Sequence, residues 1–162
     1  MRINKAKMVV ASALALVAAT AIQAQGSGKT VWDGVYTEAQ NQRGAQVYAQ
    51  SCSSCHGVTL GGTGEAPGLT GGEFLGNWNG LSVGELFDRI RTTMPFDKPG
   101  SLSREAYADV TAHVLKANGF PAGQTELDKR SEVLATINIP AQRPANAAAA
   151  AAPAGAAPSN NP

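Results

Sequence analysis

The sequence predicts an all-α domain. Two capping boxes each open a stretch with apolar residues at helical spacing. A third such stretch stops at a glycine followed by a proline, and no run with a period of two marks a convincing strand.

The first helix starts at Thr37, in the box Thr37-Glu38-Ala39-Gln40, with Gln40 at the third helical position. Gly44, Val47, Tyr48 and Ser51 follow at spacings of three and four, and the helix runs into Cys52. From Gly57 to Gly80 the chain is glycine-rich, contains Pro67 and has no period, which reads as a long structured loop of the functional kind. The second helix starts at Ser82, in the box Ser82-Val83-Gly84-Glu85, with Val83, Leu86, Phe87 and Ile90 on its inner face. It ends by Thr93, because Pro95 disfavours a helical conformation at Met94. After a turn at Asp97-Lys98-Pro99-Gly100, the third helix starts near Ser103 and carries Tyr107, Val110, Thr111 and Val114 inward. Gly119 and Pro121 stop it.

The two ends differ in composition from this middle. Arg2, Lys5 and Lys7 precede an uncharged run, Met8 to Ile22, and small residues at Ala19, Ala21 and Ala24 offer cleavage positions. This is the layout of an export signal; an uncleaved signal anchor is the alternative, although the run is short for a span of about 20 residues. From Pro140 to Pro162 the composition falls to alanine, proline and asparagine, too poor in large apolar groups to offset the entropy of ordering. The predicted organisation is a signal peptide over residues 1–24, one domain over 25–139 and a disordered tail over 140–162. Export places the mature chain in the periplasm.

The chain has 13 basic and 12 acidic residues. Loss of Arg2, Lys5 and Lys7 leaves a mature charge near −2 with no basic stripe, which argues against a nucleic-acid partner. No catalytic triad, phosphate-binding loop or carboxylate pair is present, so hydrolytic and phosphoryl-transfer chemistry find no support.

Cys52-Ser53-Ser54-Cys55-His56 carries the chemistry. C-x-x-C-H is the attachment motif of c-type haem. On a helix, positions i, i+3 and i+4 share a face, so two thiols meet one porphyrin edge and the imidazole reaches the iron. The chain has no other cysteine, and a disulfide across two residues stabilises little through chain entropy. Two other uses of these groups stand beside it. One is a bare redox dithiol, for which the βαβ pattern is missing; the other is a zinc site of Cys52, Cys55, His56 and His113. The sixth iron ligand follows by elimination. Haem iron takes His, Met, Cys or Tyr. Beyond the signal, Met94 is the only methionine and His113 the only other histidine. Taking Tyr107 as zero, His113 lies at about 240° on its helix, away from the packed stripe, and reads as a surface residue. Met94, at a helix exit before Pro95, is the expected ligand; the other role open to it is core filling.

Gly44 and Tyr48 before the motif, Ala66-Pro67-Gly68-Leu69, Thr93-Met94-Pro95 and the Tyr107 helix together resemble class I monohaem cytochromes c, over roughly Val31 to Leu127. The resemblance implies a cytochrome c fold, with three main helices around one covalently attached haem c. It implies that the first and last helices cross at Gly44, and that the Pro67 carbonyl accepts a hydrogen bond from the free ring nitrogen of His56. Trp78 or Arg91 would face the haem propionates, with core packing as the other role of Trp78. A narrower likeness rests on Val31-Trp32-Asp33-Gly34-Val35-Tyr36-Thr37, Trp78-Asn79-Gly80, Thr92-Thr93-Met94-Pro95 and Gly119-Phe120-Pro121-Ala122-Gly123. These segments are similar to cytochromes that accompany quinoprotein (PQQ-dependent) dehydrogenases for alcohols and sugars.

An iron with both axial positions filled favours outer-sphere electron transfer over oxygen chemistry, and methionine ligation raises its reduction potential. The expectation is a periplasmic single-electron carrier rather than an enzyme. Its donor would be a redox protein such as a PQQ-dependent dehydrogenase, and its acceptor a terminal oxidase or similar protein. The membrane would enter only through an uncleaved signal. Two alternatives stay open: a fixed haem subunit of a dehydrogenase or oxidase complex, and a haem protein whose open sixth site binds a small ligand.

Overall fold

A computed structural model describes residues 28–145 of the chain. The export segment and the predicted tail beyond residue 145 lie outside the described residues. A single 3-10 turn at Val31–Asp33 is followed by α1 (Glu38–Ser51), α2 (Ser53–His56), α3 (Gly71–Trp78), α4 (Val83–Thr93), α5 (Arg104–Ala117) and α6 (Ser131–Leu134). No strand forms among the described residues; there are only two isolated bridges, both to Asn138.

α1, α4 and α5 are the three helices read from the sequence, and each opens on a side-chain cap. Thr37 Oγ1 accepts from Gln40 N at 3.1 Å, and Ser103 Oγ from Ala106 N at 3.1 Å. At Ser82 the box is complete: Glu85 N donates to Ser82 Oγ (3.2 Å), and Ser82 N donates to Glu85 Oε2 (2.7 Å). At Thr37 only half of the expected box exists. The Gln40 side chain does not return to its own helix. It is buried, donating to Leu127 O at 3.0 Å and accepting from Leu127 N at 2.7 Å. A buried segment with an otherwise unpaired N–H and C=O makes a stronger demand on this amide than a solvent-exposed cap does.

The core is built where α1 crosses α5. A Cβ placed on Gly44 would lie 1.9 Å from the Asp109 carbonyl oxygen and 2.9 Å from His113 Cβ, so only glycine lets the backbones meet. α5 is buried on most of its circumference, including Tyr107, Ala108, Asp109, Val110, Thr111, Ala112, Val114 and Leu115. The expected inner stripe was therefore too narrow, and His113 is not a surface residue. It is half-buried against α1, with Nδ1 2.9 Å from Asn41 Oδ1 and its ring 5.4 Å from that of Tyr48. Burial lowers its pKa.

The glycine-rich stretch differs from expectation too: its second half is α3. Four glycines among ten residues hid a helix whose buried residue is Phe74 and whose Trp78 packs alongside it, ring centroids 6.4 Å apart. Glycine is a poor helix former, and tertiary packing overrides that preference.

The segment after α5, whose role the sequence left open, closes the domain. The Tyr36 hydroxyl donates to Phe120 O at 2.5 Å, and Leu127, Leu134, Ile137 and Ile139 are buried. Residues 137–139 run between two earlier pieces of chain. Val31 N donates to Asn138 O, Asn138 N to Lys29 O, Ile139 N to Leu81 O and Val83 N to Ile137 O, all at 2.8–2.9 Å. α6 lies on α4 at Gly84, where a Cβ would be 2.8 Å from Ser131 O. Trp32 Nε1 donates to Pro140 O at 3.0 Å and Ala141 N to Asn79 Oδ1 at 2.8 Å, so the first residues assigned to the tail are tied to the domain.

Candidate haem site

α1 delivers the motif but does not run through it. Cys52 breaks the helix at φ −130°, ψ −35°, and α2 forms a new single turn. His56 N donates to Cys52 O at 3.0 Å, so the two remain one helical turn apart. The two thiols are free; Cys52 is half-buried and Cys55 exposed. Burial, with the nearby Cys55 charge, pushes the Cys52 thiol up to about 11.

His56 is buried, at 7 % exposure, and its Nδ1 lies 2.9 Å from Pro67 O. A carbonyl oxygen can only accept, so Nδ1 carries the proton and Nε2 keeps its lone pair. The loop that presents Pro67 is held to the motif at several points. Gly62 N donates to His56 O (2.9 Å), Thr63 Oγ1 to Cys55 O (2.7 Å), Thr63 N to Ala66 O (3.0 Å) and Leu69 N to Leu60 O (2.8 Å). Gly62 adopts φ +82°, and a Cβ there would press on Gly68 N at 2.6 Å. The Tyr48 hydroxyl donates to Gly57 O at 2.6 Å, tying α1 to the turn after the histidine.

Met94 follows α4 and is half-buried. Its carbonyl accepts from the Tyr107 hydroxyl at 2.8 Å, and that same oxygen of Tyr107 receives Leu102 N at 3.4 Å. Both sides of the methionine loop are thus fastened to α5. Trp78 is half-buried against the core, together with Leu69, Leu75, Ile90 and Leu102. Arg91, the other propionate candidate, donates to Asp88 Oδ1 through Nε (3.3 Å) and Nη2 (3.1 Å).

The donor chemistry fits a haem. Two unpaired thiols at i and i+3, an imidazole with one nitrogen tied down and the other free, and half-buried apolar side chains are what that group requires. The zinc alternative is not assembled: among the described residues no three His, Cys, Asp or Glu side chains cluster as a metal site. His113, its fourth ligand, is held between α1 and α5.

Not foreseen from the sequence are the helical part of the loop, the side chains of Glu73 and Asn118 that bind its backbone, and Thr63, whose hydroxyl ties the loop to Cys55 O. None stands in a periodic pattern or a motif, so nothing local distinguishes them from other polar residues.

Among known proteins, residues 39–114 match the family model described as cytochrome C oxidase, cbb3-type, subunit III. No curated protein matches. A chain of the crystal structure of the sulfane dehydrogenase SoxCD from Paracoccus pantotrophus is similar at 21% identity over 71% of this chain, with a TM-score of 0.47. The present chain spans 62% of that chain's length. The family match covers a little under half of the chain and lies on its helical part; a cytochrome c domain of that kind implies haem c and haem-based electron transfer.

Proposed function

We propose that the protein is an exported single-electron carrier. One haem is bonded to Cys52 and Cys55, and its iron is held between His56 and Met94. The observation that carries this reading is the pairing of His56 Nδ1 with Pro67 O at 2.9 Å inside a C-x-x-C-H turn. It leaves the imidazole in the tautomer and orientation that ligation needs. When bound, the haem supplies one-electron exchange between ferric and ferrous iron at modest reorganisation.

The chain's own residues have three tasks. Cys52 and Cys55 make attachment permanent. Tyr107, by donating to Met94 O, holds the methionine loop in place. Leu69, Leu75, Trp78, Ile90 and Leu102, half-buried against the core, are the apolar side chains assigned to the haem pocket in this reading, and an apolar pocket favours the less charged ferrous state. No proton donor, acceptor or nucleophile is required of the protein.

The donor in this reading is a PQQ-dependent alcohol or sugar dehydrogenase, supported by the resemblance in residues 31–37, 78–80, 92–95 and 119–123. The acceptor is a terminal oxidase. The family's description as an oxidase subunit favours a second reading, in which the chain is a fixed haem subunit of a complex. A haem protein with an open sixth site is the third.

Expression with haem-attachment machinery tests the reading. The pigment is expected to stay with the polypeptide in acidified organic solvent and in a denaturing gel. The ferric protein is expected to show the methionine-to-iron charge-transfer band, and Met94→Ala to lose it. A colourless product, or wild-type protein that lacks the band and readily binds carbon monoxide, would defeat the carrier assignment. Gel filtration of a native extract separates the first two readings: a carrier elutes at monomer size, a subunit with its complex.

A further inference from the structure

The peptide unit joining Pro67 to Gly68 is hydrogen-bonded at both ends. Its oxygen faces His56 Nδ1 at 2.9 Å, and its N–H donates to Glu73 Oε2 at 2.9 Å. The C=O and N–H of one peptide are conjugated. A carboxylate bonded to the N–H therefore pushes electron density onto the oxygen, and hydrogen bonds in series strengthen one another. The chain carboxylate–peptide–imidazole ends on the residue assigned to the iron.

The surrounding structure serves this contact. Gly68 is buried, and a Cβ there would lie 2.7 Å from Glu73 Oε2, so glycine admits the carboxylate. Glu73 stands in the first turn of α3, and the link from Gly68 to that helix is pinned to α5 by one side chain. Asn118 Nδ2 donates to Leu69 O at 2.9 Å, and Asn118 Oδ1 accepts from Gly71 N at 3.1 Å. The α3 N-terminus and the Pro67 peptide thus keep a set relation.

We propose that Glu73 is a positioning residue that tunes the iron: through the Pro67–Gly68 peptide it strengthens the hydrogen bond on His56 Nδ1, makes the imidazole a stronger donor and lowers the reduction potential. The inference rests on the reading of His56 as the axial ligand. The tuned step moves one electron from the donor to ferric iron. No proton moves, because Nδ1 keeps its hydrogen in both states. Glu73 is exposed, so its through-space field is screened by water and salt; the effect runs through the bonded peptide.

The test uses the haem-loaded protein and three variants. Glu73→Gln keeps an acceptor for Gly68 N–H without the charge. Glu73→Asp keeps the charge but shortens the reach. Glu65→Gln removes an equal charge from the same loop without touching the Pro67–Gly68 peptide. Potentials come from spectroelectrochemistry, and the strength of the His56 bond from the NMR shift of its Nδ1 proton in the ferrous protein. Thermal unfolding reports any purely structural role of Glu73 as a cap of α3.

The expected result is a rise in potential for Glu73→Gln larger than for Glu65→Gln, a rise also for Glu73→Asp, and an upfield Nδ1 proton in both Glu73 variants. Equal shifts in Glu73→Gln and Glu65→Gln, or a wild-type potential in Glu73→Asp, would overturn the relay and leave the haem assignment standing. A wild-type protein without covalent haem would overturn both. Should Glu73→Gln fail to fold, Glu73→Asp against wild type still decides between contact and charge.

Discussion

Replacing Gly44 by alanine sets two effects against each other. Alanine in a helix interior is favoured over glycine by about 1 kcal/mol. Against it, the new Cβ would sit 1.9 Å from the Asp109 carbonyl oxygen, where ordinary contact begins at 3.4 Å. The obstacle is backbone, so no side chain can rotate away. α1 and α5 must separate locally by about 1.5 Å, the difference between those two distances. Moving them also strains the Arg43–Asp109 pair, in which Nε and Nη2 each lie 2.9 Å from a carboxylate oxygen. Overpacking of this kind costs about 1–3 kcal/mol, and a backbone clash at a helix crossing belongs at the top of that range. The net expectation is a loss of about 2 kcal/mol once the helix-propensity gain is subtracted. For a domain spanning residues 25–139, with an unfolding entropy of about 2.1 cal/mol/K per residue, that lowers Tm by roughly 8 °C. The assay is thermal unfolding of the holoprotein followed by far-ultraviolet circular dichroism, with Gly76→Ala as the control. Gly76 lies inside α3 with nothing within 4 Å of its would-be Cβ, so that variant gains stability. If Gly44→Ala proves as stable as wild type, or rises like Gly76→Ala, the close crossing is not what Gly44 provides and the reasoning fails.

Three further outcomes are expected. Gln40→Leu strands the buried N–H and C=O of Leu127 and should cost about 2–4 kcal/mol in urea titrations, whereas a loss below 1 kcal/mol would show that the amide bridge contributes little. Tyr107→Phe removes the donor to Met94 O; stability should fall by about 1 kcal/mol and carbon monoxide binding to the ferrous form should rise, with unchanged binding counting against a role for Tyr107 in holding the loop. Acid unfolding should depend on Asp128, whose carboxyl is held down at about 2, from 3.8, chiefly by hydrogen bonding to Arg130. A depressed folded value means that the unfolded chain binds the proton first, so this stabilisation is present above 3.8 and is lost as pH falls toward about 2. Asp128→Asn should flatten the stability curve in that window, and an unchanged slope would remove Asp128 from the account.

The capped helices α1, α4 and α5 stand where Thr37, Ser82 and Ser103 predicted, because caps and apolar spacing are local signals read within a single turn. The motif at Cys52, Cys55 and His56 was equally plain, since its spacing is itself the chemistry. α3 was hidden because its glycines weaken every local preference, and what makes it helical is the burial of Phe74 by the rest of the fold. Locally Gln40 reads as a cap residue, because nothing near it announces Leu127, 87 positions away. A single apolar stripe places His113 outward, whereas α5 packs on several sides at once.

Local pattern in the chain specifies the helical class and the C-x-x-C-H motif, and composition narrows the candidate iron ligands to His56 and Met94. The packing of distant segments settles what these residues lean on: the Pro67 carbonyl for His56, the Tyr107 hydroxyl for the Met94 carbonyl, and the Glu73 carboxylate for the peptide between Pro67 and Gly68. The reason is that a helix or a five-residue motif is specified by neighbours in the chain. A hydrogen bond across a loop is specified by whichever distant group the folded packing brings within about 3 Å.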